Sequence, residues 1–309
     1  MSAIPWIGQD IVESINFTSI YIVCLSVLPI LGSVHINALK KTSKIINEKE
    51  LVSIPTSFLA FLTGLIDGDG YFQITKTTKG FVTMKLVISL HLKDLSTLEY
   101  IHSVLNLGKI TIYRDIRSPI CKLIINKTEL QKYLFPLLIY NKIYFLTETR
   151  AKQFNLAVYI LINNIRLYKE ITTNIPRVFN IPETALDYTK LYFFRNWIVG
   201  FTMSEGSFFL KTNKDGCFQL KQRLHKNLFE GFKLIFETNR KINVEKELYC
   251  QFGVSSRNDI QKVINFFSFS GLHPLVGFKS IQYFKWLDDL HNSSRYKNLN
   301  YPNTMKNIT

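Results

Sequence analysis

The sequence has few cysteines, and none is placed for a metal or disulfide framework. Only four occur in 309 residues (Cys24, Cys121, Cys217 and Cys250), with no CxxC pair and no cysteine–histidine cluster at zinc-ligand spacing. This argues against zinc fingers and disulfide-rich scaffolds. Acidic residues are also scarce, since 23 Asp and Glu stand against 38 Lys and Arg, giving a net charge of +15.

Basic residues are missing from the first 39 positions, where only Asp10 and Glu13 carry a charge. The remaining chain holds all 38 Lys and Arg and 21 of the acids, so its net charge is +17. Such a basic chain with 14% aromatic residues suggests nucleic acid or an anionic membrane surface as partner. The alternative is that the charge serves solubility alone.

Residues 17–39 are apolar and uncharged, and long enough for a membrane helix. Pro29 and Gly32 interrupt this stretch, so a membrane anchor is the weaker interpretation. No positive region precedes it, as a signal peptide would require. The segment before it, SAIPWIGQDIVE, resembles part of cytochrome b. We therefore expect residues 1–45 to be an exon-derived, apolar leader.

The chain contains two related segments 136 residues apart. FLAFLTGLIDGDGYFQI at 58–74 aligns with FRNWIVGFTMSEGSFFL at 194–210, and RAKQF from Arg150 aligns with KSIQY from Lys279. A repeat that keeps acid, base, glycine and aromatic residue in order is most simply two related domains. Chance similarity of two helix starts is the alternative.

Each copy is predicted to begin with an apolar helix and to continue with alternating strands, which is an α+β pattern. Helices are predicted at 57–68, 94–105, 127–138, 147–162, 191–204, 257–268 and 278–290. The predicted domains are 46–162 and 191–295, joined by a polar, proline-containing linker at 163–190 and followed by a flexible tail at 296–309.

Small residues share one face of each motif helix. Gly64 and Gly68 are four residues apart, as are Gly200 and Ser204. Glycine inside a helix costs about 1 kcal/mol relative to alanine, so the pattern needs a reason. We expect the two helices to pack closely against each other.

An acid ends each motif helix, at Asp69 and Glu205. The macrodipole makes a helix C-terminus unfavourable for an anion, and two adjacent carboxylates also repel. A divalent cation removes both penalties, and oxygen ligands suit Mg²⁺. With a basic surface, this arrangement predicts phosphodiester hydrolysis. An EF-hand is excluded, because Tyr71 and Phe72 occupy the next ligand and glycine positions.

The duplicated pattern around LTGLIDGDG resembles the LAGLIDADG homing endonucleases that carry two motifs in one chain, as encoded in fungal mitochondrial introns, several of them in the cytochrome b gene. The resemblance covers roughly residues 45–300. It implies two αββαββα units packed through their motif helices, with two antiparallel sheets that follow the DNA major groove. It also implies a mitochondrial protein that is monomeric, with no obligate protein partner.

The activity implied by the resemblance is a double-strand break with short 3′ overhangs in a long, asymmetric DNA site at an intronless allele, which promotes intron mobility. Mg²⁺ is the implied cofactor; Mn²⁺ would substitute, and Ca²⁺ would bind without supporting cleavage. The alternative function is that of an RNA maturase, which assists splicing of the host intron with or without retained cleavage.

Carried onto this chain, the resemblance implies a set of site residues. The implied metal ligands are Asp69, Glu205, Gly68 and Ser204, and the implied catalytic residues are Asp69, Glu205, Lys279, Arg150 and Gln222. Three departures from symmetry are expected. Met203 replaces the acid found at Asp67, Leu92 is aligned with Gln222, and Arg150 can bind phosphate but cannot transfer a proton. For Arg150 and Lys279 the alternative is a plain surface cation.

Polar and basic residues on the strands are predicted to read base edges in the major groove. These residues are Gln73, Thr75, Lys76, Thr78, Lys85, Ser89 and His91 in copy one, and Lys211, Asn213, Lys214, Gln219, Lys221 and Arg223 in copy two. The alternative is that about half of them are solvated or contact only phosphates.

Overall fold

The computed structural model describes residues 54–303. The expected leader at 1–45, its apolar stretch and the end of the predicted tail lie outside the described residues. Among the helices that are described, none is long and apolar enough to cross a membrane.

The first half begins with the motif helix and alternates pairs of strands with helices. Its elements are α1 (Thr56–Asp69), β1 (Gly70–Lys76), β2 (Val82–His91), α2 (Leu95–Leu105), β3 (Lys109–Tyr113), β4 (Ile120–Asn126), α3 (Lys127–Glu129, a π-helical turn at Leu130–Leu134, then Phe135–Tyr140) and α4 (Glu148–Ile162). A 3₁₀ turn, Leu92–Asp94, joins β2 to α2.

The second half repeats the same order. Its elements are α5 (Ala185–Lys190), α6 (Phe194–Glu205), β5 (Gly206–Leu210), β6 (Gly216–Arg223), α7 (Lys226–Ile235), β7 (Asn243–Glu245), β8 (Tyr249–Val254), α8 (Arg257–Ile264, followed by a π-helical turn at Asn265–Phe269) and α9 (Gly277–His291). Helix α5 precedes the repeat unit and was not predicted.

Each half carries one antiparallel sheet of four strands. The strand orders are β1-β2-β4-β3 and β5-β6-β8-β7, so β1 and β5 are edge strands of equivalent position. Alternation along the strands places one face of each sheet on the apolar core, with Leu86 and Leu123 in the first sheet and Leu220 and Phe252 in the second. The α+β class and the αββαββα order of both units are therefore confirmed.

The two motif helices, α1 and α6, pack backbone to backbone. A Cβ at Gly64 would lie 2.0 Å from the carbonyl oxygen of Trp197, and a Cβ at Gly200 would lie 1.8 Å from that of Phe61. Neither position therefore accepts a side chain, and the close approach expected from the glycine pattern is confirmed. One turn further on, a Cβ at Gly68 would overlap the hydroxyl of Ser204.

The predicted linker at 163–190 is partly ordered against both halves. A 3₁₀ turn, Tyr168–Glu170, lies beside the β1–β2 hairpin, where Phe81 forms an isolated antiparallel bridge with Leu167. Helix α5 packs against α7. The domain boundaries themselves stay predictions.

Candidate functional site

The two acids that end the motif helices lie together where those helices meet. Asp69 is the last residue of α1 and Glu205 the last residue of α6. A Cβ on Gly68 would lie 3.2 Å from Cγ of Glu205, so the Glu205 side chain lies against the end of the opposite helix. The two half-buried acids thus share one site on the pseudo-twofold axis of the two halves.

Burial dominates the ionisation of both acids. It raises the pKa of Asp69 to about 6, although Lys279 and Arg150 lower it. It raises the pKa of Glu205 to about 7, with a further upward contribution from the neighbouring Asp69 charge. Two carboxylates that are desolvated and mutually repulsive near neutral pH form a site that either retains protons or attracts a cation.

Gln222 holds the Glu205 carboxylate. Its Nε2 donates to Oε1 of Glu205 at 2.6 Å, while its own Oε1 accepts from the backbone N–H of Arg223 at 2.7 Å. The strand register gives its counterpart in copy one as Leu90 and not Leu92, because Gly206 pairs with Leu220 where Gly70 pairs with Ile88. The β5–β6 hairpin is four residues shorter than the β1–β2 hairpin, so the 136-residue offset between the motifs becomes 132 residues on the second strand of each hairpin.

A basic side chain bonds to the chain at the end of each motif helix. Arg150, on α4, donates from Nε to the carbonyl of Ile66 at 3.2 Å. Lys279, on α9, donates from Nζ to the carbonyl of Gly206 at 2.6 Å. Burial lowers the pKa of each cation, and the charges of both Asp69 and Glu205 oppose that shift. The structure therefore brings all five expected catalytic residues to one site.

The donor set fits a hard divalent cation. Asp69 and Glu205 supply carboxylate oxygens, which Mg²⁺ prefers, and neither is in an ion pair within the described residues. No group of three or more His, Cys, Asp or Glu suited to a metal occurs within residues 54–303. A metal here would need further oxygens from backbone, water or substrate. The Ser204 hydroxyl donates to the carbonyl of Phe201. The carbonyls of Gly68 and Ser204 lie in the last turn of their helices, where carbonyls have no intrahelical donor, and are therefore candidates for such oxygens.

The open face of the first sheet carries five of the seven copy-one residues expected to contact DNA. Alternation places Gln73, Thr75, Lys85, Ser89 and His91 on this face, opposite the core. Lys76 is exposed at the strand end but falls on the other face, and Thr78 lies in the hairpin turn. Lys76 therefore does not lie on the open face with the other strand residues, because it alternates with Thr75, and its contact with DNA stays a prediction.

The open face of the second sheet carries Gln219, Lys221 and Arg223. Lys221 forms an ion pair of 2.5 Å with Glu245, and Gln219 accepts a hydrogen bond from Gln251 at 3.1 Å. The remaining three expected contacts, Lys211, Asn213 and Lys214, are exposed in the β5–β6 turn.

The expected DNA contacts did not include residues of the outer strand pair of each sheet. The sheet registers add Lys109, Thr111, Tyr113, Lys122 and Asn126 to the open face of the first sheet, and Asn243, Tyr249 and Gln251 to that of the second. Period-two alternation in KITIY and ICKLIIN was the available signal.

Asp67 is not part of this open site. It is 2% exposed and accepts four hydrogen bonds, from the backbone N–H groups of Leu146 and Thr147, the Thr147 hydroxyl and the Trp197 indole. The indole donor comes from α6, so Asp67 joins the two halves. Met203 occupies the equivalent place in copy two and is 8% exposed.

The family model described as LAGLIDADG endonuclease matches residues 62–173. An uncharacterized 37.2 kDa cox1 intron-2 protein of Schizosaccharomyces pombe is 25% identical over 240 residues, covering 75% of this chain. The match spans 64% of that relative, which is less than two thirds of its length. A probable intron-encoded endonuclease, aI3, of Dictyostelium citrinum is 23% identical over 229 residues, covering 72% of this chain and 91% of that protein.

Solved structures show the same fold. The LAGLIDADG meganuclease I-CpaMI bound to uncleaved DNA has a TM-score of 0.57 at 22% identity, covering 74% of this chain and 90% of that one. The meganuclease I-SmaMI bound to uncleavable DNA has a TM-score of 0.59 at 20% identity, covering 78% and 93%. Residues 62–173 therefore match a LAGLIDADG endonuclease model, and the chain has the fold of the LAGLIDADG meganucleases.

Proposed function

We propose that this chain is a site-specific DNA endonuclease that makes a double-strand break in a long, asymmetric site. The observation that carries the proposal is the pair of carboxylates, Asp69 and Glu205, at the ends of two closely packed helices that join two open, polar sheet faces. Relatives described as an intron-encoded endonuclease and as DNA-bound meganucleases support the same conclusion.

Asp69 and Glu205 would hold the divalent metal, with the carbonyls of Gly68 and Ser204 as further ligands. When bound, Mg²⁺ would stabilise charge on the attacking and leaving oxygens of the phosphodiester. The raised pKa values of the two acids, about 6 and about 7, support this role, because a cation removes their mutual repulsion. One related structure, that of I-SmaMI, was solved on uncleaved DNA in the presence of calcium ions.

The protein's own groups orient the substrate. Arg150 and Lys279 offer positive charge to phosphate at the two ends of the acid pair, Arg150 as a planar donor and Lys279 as a point charge. Gln222 fixes the rotamer of Glu205 through its 2.6 Å hydrogen bond, so that this carboxylate does not need to reorganise. Because copy one has Leu90 in place of Gln222, the two DNA strands would meet different side chains around the two acids.

Recognition would use the open faces of the two sheets. A β-ribbon fits the major groove, where amide, guanidinium and ammonium groups distinguish base edges. Because the two faces carry different side chains, the preferred site would be asymmetric. Phosphate contacts from exposed lysines would make binding fall steeply with salt.

The biological role that follows is intron mobility in mitochondria, by cleavage of an intronless allele. The Schizosaccharomyces pombe relative is described as a cox1 intron product. The SAIPWIGQDIVE segment favours the cytochrome b gene as the host gene.

The direct test uses purified full-length protein and plasmids that carry intronless cytochrome b or cox1 exon junctions. We expect a Mg²⁺-dependent linear product with a single mapped break, which EDTA abolishes. Specific binding without any break in Mg²⁺ or Mn²⁺ would contradict the proposal. It would favour the alternative of an RNA maturase, which a splicing assay on the host intron RNA would then test.

A further inference from the structure

One amide oxygen links the Arg150 side chain to the strand that follows Asp69. Oε1 of Gln153 accepts from the backbone N–H of Phe72 at 3.1 Å and from Nη1 of Arg150 at 3.2 Å. Gln153 lies one turn after Arg150 on α4 and is half-buried. Gln153 aligns with Gln282 in the repeat, but the proposed cleavage chemistry gives it no role.

The position of Phe72 makes this bond informative. Phe72 is the third residue after Asp69 and lies in β1, an edge strand, so its N–H has no neighbouring strand on the side of α4. The side chain of Phe72 is 3% exposed and anchors that strand in the core. The Gln153 oxygen therefore connects the Arg150 guanidinium to the backbone of Phe72, which is well anchored and only three residues from Asp69.

Arg150 is then fixed at two of its donors. Nε bonds to the carbonyl of Ile66 and Nη1 bonds to Gln153. Arginine has five N–H donors in a planar fork, and hydrogen bonds at two of them restrict the orientation of that plane. Three N–H donors remain, and the guanidinium lies close enough to Asp69 and Glu205 for their charges to raise its pKa against the effect of burial.

We propose that Gln153 is a positioning residue that sets the plane of the Arg150 guanidinium against the scissile phosphate of one DNA strand. This inference rests on the proposed endonuclease function. Gln153 would not touch the DNA itself; its effect passes through Arg150.

The second copy shows why the arrangement is specific to arginine. Lys279 reaches the carbonyl of Gly206 directly, and among residues 54–303 the Gln282 side chain makes no hydrogen bond. An ammonium group has no plane to orient, so one contact is sufficient. Gln282 is therefore a matched control at the equivalent position.

The experiment measures single-turnover nicking of each strand separately, on labelled target duplex with Mg²⁺, using full-length protein. Arg150→Ala defines which strand depends on Arg150. We expect Gln153→Met, which lacks the acceptor oxygen, to slow that strand about tenfold, since small displacements of a positioning group are costly. The other strand, and the Kd for DNA in Ca²⁺, should change less than about twofold, as should both strands with Gln282→Met.

Two further variants separate positioning from folding. Gln153→Glu keeps an acceptor oxygen and should retain more than about half of the wild-type rate. Adding Gln153→Met to Arg150→Ala should cause no further loss, because the effect passes through Arg150.

Equal slowing of both strands, or an additive loss in the double variant, would overturn the inference and assign Gln153 a purely structural role. Normal rates with Gln153→Met would overturn it as well. In either case, the proposed function still holds if the wild type cleaves the target and Asp69→Asn does not. Cleavage that survives Asp69→Asn would overturn the proposed function instead.

Discussion

The two motif helices, α1 and α6, are flanked by different side-chain contacts on their two sides. On the first side, the buried carboxylate of Asp67 receives the Trp197 indole N–H at 2.8 Å. On the second, Met203 and Phe61 stand in the equivalent places, and the Phe61 ring stacks at 4.0 Å on His273, whose Nε2 is 2.9 Å from the Tyr100 hydroxyl. The first side is a charged network and the second a neutral, aromatic one.

The difference shows which parts of the duplicated unit tolerate divergence. The Gly64 and Gly200 contacts are retained in both copies because the backbones touch there. The surrounding side chains differ in pairs. Where the first side has the acceptor Asp67 and the donor Trp197, the second side has Met203 and Phe61, which form no such hydrogen bond. In a symmetric protein made of two copies of the first half, phenylalanine would replace Trp197, and the Asp67 carboxylate would lose the indole N–H that the other half donates.

The largest expected effect tests the feature that the two sides share. Gly200→Ala would place a Cβ 1.8 Å from the carbonyl oxygen of Phe61, and the backbones would have to separate. We expect the free energy of unfolding to fall by more than about 4 kcal/mol, measured by urea denaturation. Gly253→Ala, where a Cβ meets only a side-chain nitrogen at 4.0 Å, is the control and should cost less than about 1 kcal/mol.

The next effect tests the difference between the two sides of the helix pair, with one substitution on each side. Asp67→Leu leaves buried donors of Leu146, Thr147 and Trp197 without an acceptor, and we expect a loss of about 3 kcal/mol. Met203→Leu keeps volume and polarity, and should cost less than about 1.5 kcal/mol. Similar losses for both variants in urea denaturation would mean that the two sides are energetically alike.

The shared acid pair gives a pH-dependent prediction. Burial raises the pKa of Asp69 to about 6 and that of Glu205 to about 7, so the metal-free fold binds protons more tightly than the unfolded chain. Its stability therefore falls as pH rises from about 4 to about 7. Mg²⁺ binds only the deprotonated acids and should raise Tm at pH 8 but hardly at pH 5. An equal rise in Tm at both pH values, seen by calorimetry, would contradict this reasoning.

The smallest effect concerns the unequal support of the two acids. Gln222→Leu makes the second site resemble the first, where Leu90 occupies the same register. We expect the Mg²⁺ concentration for half-maximal cleavage to rise about tenfold, as for other losses of a ligand-orienting hydrogen bond. Gln251→Leu removes a glutamine of the neighbouring strand that bonds to Gln219, and should alter DNA affinity without changing the Mg²⁺ requirement.

Much of this arrangement was predictable from sequence, because it depends on spacing within one helix. The four-residue separation of small residues gave the close packing, and the position of Asp69 and Glu205 after it gave the acid pair. The partners of Asp67 were not predictable, since they lie 79, 80 and 130 residues away. The counterpart of Gln222 was misassigned because register depends on hairpin length. The polar residues of the outer strands were not among the expected contacts, although their alternation was visible.

In the proposed function, two unlike halves contribute one acid each to a single cleavage site. The most direct test of this arrangement follows supercoiled target plasmid in Mg²⁺ through nicked to linear product with wild-type protein, Asp69→Asn and Glu205→Gln. We predict that only the wild type linearises the plasmid, while both variants bind the target in Ca²⁺ within about tenfold of the wild type. Undiminished nicking by either variant would contradict the account.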